Sequence, residues 1–349
     1  MKVVVDMQKL NNLYSGLGQF CFHLGKELIK QNDNNEFLFL GKKIDHFSNI
    51  EFFEPTFLNR LRGKINHEVG FWHCTHQEPK FVPADIPYIL TIHDLNFLYK
   101  YKSEWRIKIK LERVQKLINN ASAIVTVSNF TLQEVVNNFF IPDIPKQVIY
   151  NGVTLDIHGA NSKPTWITEG PFLFSIGIIT SKKNFHVLLP FIQRLNYSLI
   201  IAGDNSSVYA RDLKLQANKS GIGNKIIFPG RISEQERLWL YINCEAFVFP
   251  SLSEGFGLPV VEAMSLGKPV FLSEQTSLPE IGGDAAFYWN NFDPDYMVSQ
   301  FQNKMILFNS DNNYANKLID QSKKFSWKDA ARLYLELYSF LADKKDKKH

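Results

Sequence analysis

The chain has 349 residues, of which 45% are hydrophobic and 21% are charged, as in ordinary soluble globular proteins. This length exceeds the usual size of a single hydrophobic core, so it predicts two domains. The net charge is only +4, which is too small to favour nucleic acid as a partner.

Short apolar runs and helix-like segments alternate along the whole chain. The near-continuous apolar character of the runs predicts strands of a parallel sheet that is covered on both faces. The predicted strands are 2–5, 36–41, 70–75, 88–94, 122–129, 147–152, 172–177, 198–204, 225–230, 246–251 and 269–274. The predicted helices are 18–31, 103–120, 130–138, 186–196, 234–243 and 258–266. This alternation predicts an α/β fold with two doubly wound domains.

A polar stretch at 154–171 contains Gly and Pro, lacks clean periodicity and predicts a linker. We therefore expect domains at 1–155 and 156–326. The remainder, 327–349, begins with apolar residues at helical spacing and ends in a basic tail. Such a helix must bury its apolar face, and it could do so by crossing back to the N-terminal domain.

The compartment is predicted to be the cytoplasm. The chain starts with a strand-like run rather than an apolar leader, and no apolar stretch approaches the roughly 18 residues of a membrane span. The three cysteines are too few and too scattered for a disulfide framework.

The run 99–116 is rich in Lys and Arg and contains Trp105. It has two interpretations: the solvated side of a covering helix, or a peripheral contact with the anionic inner face of the cytoplasmic membrane.

The stretch SLSEGFGLPVVE, residues 251–262, places Glu254 and Glu262 on either side of a glycine-rich turn. Glycines between a strand and a helix let the backbone approach a ligand, and a helix N-terminus offers N–H groups to an anion. Carboxylates beside such a turn accept hydrogen bonds from sugar hydroxyls. The alternative is that Glu262 only complements the helix dipole while Glu254 is solvated.

Two other polar clusters follow predicted strands, where α/β sheets bind ligands. Lys182, Lys183 and Asn184 precede a helix, where lysines can neutralise a diphosphate or simply be solvated. His93 and Asp94 are placed for binding or proton chemistry, or for a structural hydrogen bond.

The glycine stretch SGLGQF contains Gly16 and Gly18. The pattern is too incomplete, and lies too far beyond the first strand, for a dinucleotide fingerprint. We interpret it as a small-residue loop and helix start beside a cleft.

Two patterns resemble metal-binding motifs but are not interpreted as metal sites. The run HCTHQE offers His73, Cys74 and His76, but no second cluster follows at ligand spacing, so no metal site is predicted. The Asp293–Pro294–Asp295 stretch has the shape of a metal-nucleotide motif but lies in a Pro-containing loop segment, so we predict a turn.

Taken together, the motifs resemble the retaining glycosyltransferases of family 4, which have the GT-B fold. Glu254 and Glu262 fit the family's E-x7-E pattern within PSLSEGFGLPVVEAMSLGKPV, residues 250–270. Further segments are similar to the family in its order: SGLGQF, TIHDL, VTVSNFT, VIYNGV, SIGIITSKKN, LIIAGD, FPGRISEQE and SLPEIGGDAAF. The resemblance covers nearly the whole chain.

The resemblance implies two Rossmann-like domains facing a central cleft, with the acceptor on the N-terminal side and the nucleotide sugar held chiefly by the C-terminal side. Glu262 would hold the donor ribose, Glu254 the transferred sugar, and Lys183 the leaving diphosphate. His93 would lie beside the donor sugar and the acceptor. The other implied donor-binding residues are Gly16, Gly18, Lys182, Arg231, Ile232, Gly255, Phe256, Gly257 and Leu258.

The implied reaction is a metal-independent hexosyl transfer with retention, without a cofactor, in cell-surface polysaccharide synthesis. The expected acceptor is a glycan or a lipid-linked oligosaccharide. The segments THQ, HDL and SLPE resemble mannosyltransferase-like members, which favours GDP-mannose as donor over UDP-sugars. One departure is Ile178, where many members have an arginine. Lys182 and Arg231 are the candidates to compensate for it, and other members lack this arginine and have a basic triplet like Lys182–Lys183–Asn184, so the departure does not imply inactivity. The alternatives are a UDP-sugar 2-epimerase on the same fold and a degenerate, non-catalytic sugar-nucleotide-binding subunit.

Overall fold

A computed structural model describes residues 1–32, 35–57, 59, 63–64, 69–100, 103–155, 163–167 and 169–346. Contacts divide the chain into two compact units. Unit 1 comprises Met1–Gly152 and Ser326–His349, and unit 2 comprises Val153–Phe325. Much of the predicted linker, 156–162 and 168, lies outside the described residues.

Unit 1 contains a seven-stranded parallel sheet in the order β3-β2-β1-β4-β5-β6-β7. The strand order changes direction between β1 and β4, as it does in doubly wound sheets. The strands are β1 Lys2–Asp6, β2 Glu36–Leu40, β3 Glu51–Phe53, β4 Phe71–Cys74, β5 Tyr88–Ile92, β6 Ala123–Thr126 and β7 Lys146–Val148.

The helices of unit 1 are α1 Gly16–Lys30, α2 Phe97–Lys100, α3 Glu104–Asn120 and α4 Asn129–Asn138. A terminal helix, α12 Trp327–Asp346, completes the unit. This helix agrees with the helical spacing of apolar residues at the start of 327–349. It packs against α1.

Unit 2 contains a six-stranded parallel sheet in the order β10-β9-β8-β11-β12-β13. The strands are β8 Phe172–Ile176, β9 Ser198–Ala202, β10 Ile226–Gly230, β11 Ala246–Phe249, β12 Val270–Ser273 and β13 Phe287–Trp289. The helices are α5 Leu188–Gln193, α6 Val208–Lys219, α7 Glu234–Asn243, α8 Leu258–Ser265, α9 Leu278–Gly282, α10 Pro294–Ser310 and α11 Tyr314–Ser322. The two parallel sheets confirm the predicted α/β fold with two doubly wound domains.

A chain of buried hydrogen bonds fixes α12 to the sheet of unit 1. The His73 ring lies 2.6 Å from the Tyr338 hydroxyl through Nδ1 and 2.9 Å from the Thr91 hydroxyl through Nε2. The Thr91 hydroxyl lies 2.9 Å from that of Tyr334. All four side chains are buried, so each contact satisfies a polar group that water cannot reach. This chain joins β4 and β5 to α12.

One local prediction was only partly correct and another was wrong. The helix predicted at 186–196 is a 3-10 turn at Phe185–Val187 followed by the short α5. The turn predicted at Asp293–Asp295 is the start of α10. The Asp293 carboxylate accepts from the Asp295 and Tyr296 amides, so it caps the helix.

Candidate active site

The turn between β11 and α8 lies between Glu254 and Glu262 and depends on a glycine. Gly257 immediately precedes α8 with φ +106°, a left-handed conformation that L side chains rarely adopt. A Cβ atom there would also lie 3.1 Å from the Leu278 side chain. Glycine at this position therefore lets the chain turn sharply into α8, whose first turn is tight: Pro259 has no N–H, and the Val260 amide donates to the Gly257 carbonyl oxygen at 2.9 Å.

Glu254 forms an ion pair with the lysine expected to meet the diphosphate. The Lys183 Nζ lies 2.6 Å from Glu254 Oε1, and the Ser251 hydroxyl donates to the same oxygen at 2.5 Å. The second oxygen, Oε2, lies 4.0 Å from Lys182 Nζ. The Lys183 ammonium also lies 4.4 Å from the centre of the Phe249 ring. The structure thus brings together Glu254, Lys183 and Lys182.

Burial acts in opposite directions on this pair. It lowers the pKa of Lys183, and the attraction of Glu254 restores only part of that loss. It would raise the pKa of Glu254, but the attraction of Lys183 and Lys182, with hydrogen bonds from Lys183 and Ser251, outweighs it and leaves that pKa below its usual value. Each charge therefore depends on its partner.

Glu262 lies in α8 and is held by two donors from α7. Arg237 Nη1 donates to Glu262 Oε1 at 2.8 Å, and the Tyr241 hydroxyl donates to Oε2 at 2.8 Å. The Glu262 side chain is 12% exposed and that of Arg237 is 16% exposed. Sequence reasoning missed both partners. Their spacing of four places them on one helix face, but the sequence does not tell which element that face meets.

The two candidates to replace the arginine missing at Ile178 have different surroundings. The Arg231 guanidinium is paired with Asp204 at 2.7 Å, beyond the end of β10. Hydrogen bonds from Ser206 and then from Arg231 lower the pKa of Asp204 to about 2, so this pair stays charged. Lys182 instead lies beside Glu254. Ile232, next to Arg231, is buried.

In unit 1, His93 follows β5 and is nearly enclosed. Its Nε2 lies 2.8 Å from the Thr75 carbonyl oxygen, which only accepts, so Nε2 carries the proton. Its ring is perpendicular to that of Phe20, with the ring centroids 4.5 Å apart. Burial lowers the pKa of His93 to about 4. The ring is therefore neutral at pH 7, with Nδ1 as its acceptor nitrogen.

Gly16 and Gly18 lie within the first turn of α1 rather than in a loop before it. The Ser15 hydroxyl accepts from the Gly18 amide and caps the helix. A Cβ on Gly18 would lie 2.1 Å from the Asn12 carbonyl oxygen, so any larger residue would displace the preceding turn. Packing alone thus accounts for glycine at 18, whereas a Cβ on Gly16 would meet nothing within 4 Å.

The histidines of the HCTHQE run are used structurally. His73 belongs to the network that holds α12, and His76 Nδ1 accepts from the Glu78 amide at 3.1 Å. Among the residues that the structure describes, no group of three or more His, Cys, Asp or Glu side chains could hold a metal ion.

Comparison with known proteins agrees with this architecture. Residues 14–157 match the family model "Glycosyltransferase Family 4", and residues 160–325 match "Glycosyl transferases group 1". Among solved structures, Anabaena Alr3699/HepE in complex with UDP and glucose aligns with a TM-score of 0.78 at 18% identity, covering 97% of this chain and 99% of that one. Sucrose-phosphate synthase from Thermosynechococcus elongatus aligns with a TM-score of 0.78 at 15% identity, covering 98% and 99%.

Curated relatives include several mannosyltransferases. O-antigen chain mannosyltransferase B of Escherichia coli is 27% identical over 72% of this chain and 70% of its own length. O-antigen chain mannosyltransferase RfbU of Salmonella typhimurium is 22% identical over 86% of this chain and 90% of its own length. The two family models, the ordered motifs and the paired parallel-sheet units all agree: the chain belongs to glycosyltransferase family 4 and has the GT-B fold.

Proposed function

We propose that this enzyme transfers a hexose, with retention, from a nucleotide diphosphate sugar to a glycan or lipid-linked acceptor in cell-surface polysaccharide synthesis. GDP-mannose is the favoured donor, with UDP-sugars next, and no metal ion or cofactor takes part. The observation that carries the proposal is the buried ion pair between Lys183 and Glu254, four residues before α8, together with a second carboxylate within α8, Glu262, which Arg237 holds.

The charges of this site complement those that develop when the anomeric C–O bond of the donor breaks. As the anomeric C–O bond breaks, the diphosphate gains negative charge and the sugar ring gains positive charge. Lys183 and the first amides of α8 would stabilise the diphosphate. Glu254 Oε2, which lies 4.0 Å from Lys182 Nζ, has lone pairs for sugar hydroxyls.

The acceptor oxygen would form the new bond to the anomeric carbon on the face that the leaving group vacates. Its proton would pass to the departing phosphate oxygen, so the step needs no carboxylate nucleophile. We propose that neutral His93 lies beside the sugar and the acceptor, and that Gly16 and Gly18 border the diphosphate. Phe256, Gly257 and Leu258 would meet the diphosphate through their amides.

The choice of mannose has two sources of support. The segments THQ, HDL and SLPE resemble mannosyltransferase-like members, and curated relatives are named as O-antigen mannosyltransferases. The UDP and glucose complex of the Anabaena protein keeps UDP-sugars as the second choice.

A donor panel tests the proposal. GDP-, UDP-, ADP- and dTDP-sugars would be screened by thermal shift and by donor hydrolysis, with Glu262→Ala as the matched variant. We expect GDP-mannose to give the largest shift, and Glu262→Ala to reduce that shift because it removes the carboxylate proposed for the ribose. A UDP-sugar epimerised at C2 without acceptor would support the epimerase alternative. Donor binding without hydrolysis or transfer would support the non-catalytic subunit.

We further propose that the enzyme is cytoplasmic and touches the anionic inner face of the membrane through 99–116. In α3 the side chains of Trp105 and Ile109, one helical turn apart, are 66% and 42% exposed, while Val114 and Ile118 are buried. Exposed cations flank this apolar pair, among them Arg106, Lys108, Arg113 and Lys116. Residues 101–102 of the run lie outside the described residues. No described helix combines the length and apolarity needed to cross a bilayer.

Charge reversal tests the membrane contact. The double variant Lys108→Glu, Lys116→Glu is expected to weaken binding to phosphatidylserine-containing liposomes by at least about 30-fold, since the loss of two cations near such a surface removes about 2 kcal/mol. The control reverses Arg211 and Lys219 on α6 and should leave co-sedimentation unchanged. Equal binding by both variants, or no binding by the unaltered protein, would remove the idea.

A further inference from the structure

The two donors on α7 occupy only half of what the Glu262 carboxylate can accept. Each carboxylate oxygen offers about two lone-pair positions. Arg237 takes one position on Oε1, and Tyr241 takes one on Oε2. With respect to the residues that the structure describes, one position on each oxygen therefore remains, which matches two hydroxyl donors on neighbouring carbons, as in the 2′,3′-diol of a ribose.

The donors are themselves fixed. Arg237 and Tyr241 stand four residues apart on α7, so both project from one face of the helix. The Tyr241 ring is fully buried and packs edge-on against Phe174 with a centroid distance of 5.0 Å. The Tyr241 hydroxyl also lies 3.2 Å from the Pro259 carbonyl oxygen at the start of α8. Because both of its oxygens are held by donors on α7, the Glu262 carboxylate has little freedom to rotate.

We propose that Arg237 and Tyr241 are positioning residues that hold Glu262 in the one orientation in which it accepts both ribose hydroxyls. In this way they set the preference of the enzyme for ribonucleotide over deoxyribonucleotide donors. The inference deepens the proposed function and rests on it, because it assigns the ribose to Glu262. Neither residue touches the reacting atoms.

The test measures dissociation constants of GDP and UDP and of their 2′-deoxy and 3′-deoxy forms by calorimetry. The variants are Tyr241→Phe, which keeps the ring packing, and Arg237→Lys and Arg237→Gln. The unaltered enzyme should prefer the ribose form by at least tenfold, since each hydroxyl makes a charge-assisted hydrogen bond. Tyr241→Phe and Arg237→Gln should each bind the ribose form about tenfold more weakly, and Arg237→Lys less so, with little change for the deoxy forms. The ratio between ribo and deoxy forms should therefore fall.

The control is Glu234→Gln. Glu234 is the other carboxylate near Arg237, at 3.7 Å, and its side chain is 79% exposed, so its loss should leave the ratio unchanged. Rescue is expected to be partial in Arg237→Lys, which keeps a charge but not the planar geometry.

The outcomes separate the two levels of the proposal. An unaltered enzyme that binds ribo and deoxy forms equally would contradict the ribose role of Glu262 and the inference with it. An enzyme that discriminates, with variants that discriminate equally well, would overturn the inference alone. Uniformly weaker binding of all forms would assign Arg237 and Tyr241 a purely structural role and would also overturn it.

Discussion

Replacing Lys183 by alanine is expected to lower turnover by roughly 100- to 1,000-fold, the effect of removing one preorganised group that stabilises developing negative charge. Lys183 lies 2.6 Å from Glu254 and its side chain is only 11% exposed, so water replaces the ammonium poorly. The measurement is kcat with the donor that the panel identifies, together with the melting temperature of the variant. The loss should lie mainly in kcat, because the diphosphate gains its charge in the transition state.

Lys182→Ala is the matched control. Its ammonium lies farther from Glu254, at 4.0 Å, and its side chain is 38% exposed. We expect a loss of about tenfold or less. A folded Lys183→Ala protein with near-normal kcat would mean that another cation neutralises the diphosphate, and Lys182 would then be the first to examine.

The ion pair between Lys183 and Glu254 also makes the activity depend on pH. Burial lowers the pKa of Lys183 and Glu254 opposes this, so Glu254→Gln removes the opposition and leaves the burial. The pKa of Lys183 should then fall further. The alkaline limb of the pH–kcat profile should move to lower pH in this variant, beyond any overall loss of rate.

Acid is expected to destabilise unit 1 well before unit 2. Burial lowers the pKa values of His73 and His76 to about 3 and that of His93 to about 4. In the unfolded chain these rings take up protons near pH 6.5, so below that pH the unfolded state binds more protons than the folded state. Their stabilising contribution is therefore complete above pH 6.5 and declines as the pH falls toward 3–4.

Asp6 acts in the opposite sense. Burial raises its pKa to about 6, so the folded state holds its proton more firmly between about pH 6 and pH 4. Each shifted histidine changes the stability by about 1.4 kcal/mol per pH unit, and Asp6 offsets about one of the three. The free energy of unfolding of unit 1 should fall by about 4 kcal/mol between pH 7 and pH 5.

Urea unfolding at pH 7, 6 and 5, with hydrogen exchange corrected for its intrinsic pH dependence, measures this effect in each unit. The His93→Asn variant should lose about a third of the pH dependence that the three histidines give to the free energy of unfolding of unit 1. His46→Asn, which replaces an exposed histidine of the same unit, should not change the slope. An unfolding midpoint for unit 1 that stays constant from pH 7 to pH 5 would contradict the prediction.

The sequence predicted the sheets well because buried parallel strands must be nearly continuous apolar runs. It missed β3, a three-residue strand whose residues are exposed or only half-buried, and β13. It also missed α10, because the Asp–Pro–Asp start of that helix reads equally well as a turn until the capping hydrogen bonds are known.

The residues of the candidate site divide in the same way: local sequence patterns identify some of them, and only the packing of the helices reveals the others. The E-x7-E spacing and the KKN triplet are local patterns, so Glu254, Glu262 and Lys183 could be singled out from the sequence. Arg237 and Tyr241 could not, because their importance arises only when α7 packs beside α8. The reason for Gly18 was equally hidden, since it depends on the Asn12 carbonyl coming close in space.

The hydrogen-bonded docking of α12 also bears on the order in which the chain can fold during synthesis. Unit 2 is one continuous segment, Val153–Phe325, that emerges from the ribosome before α12 does. Until Tyr334 and Tyr338 follow, His73 and Thr91 have each other but lack their hydrogen-bond partners on α12. Domains usually complete their folding in order from the N-terminus. Here unit 1 is synthesised first, but it can complete its packing only after unit 2 has been synthesised.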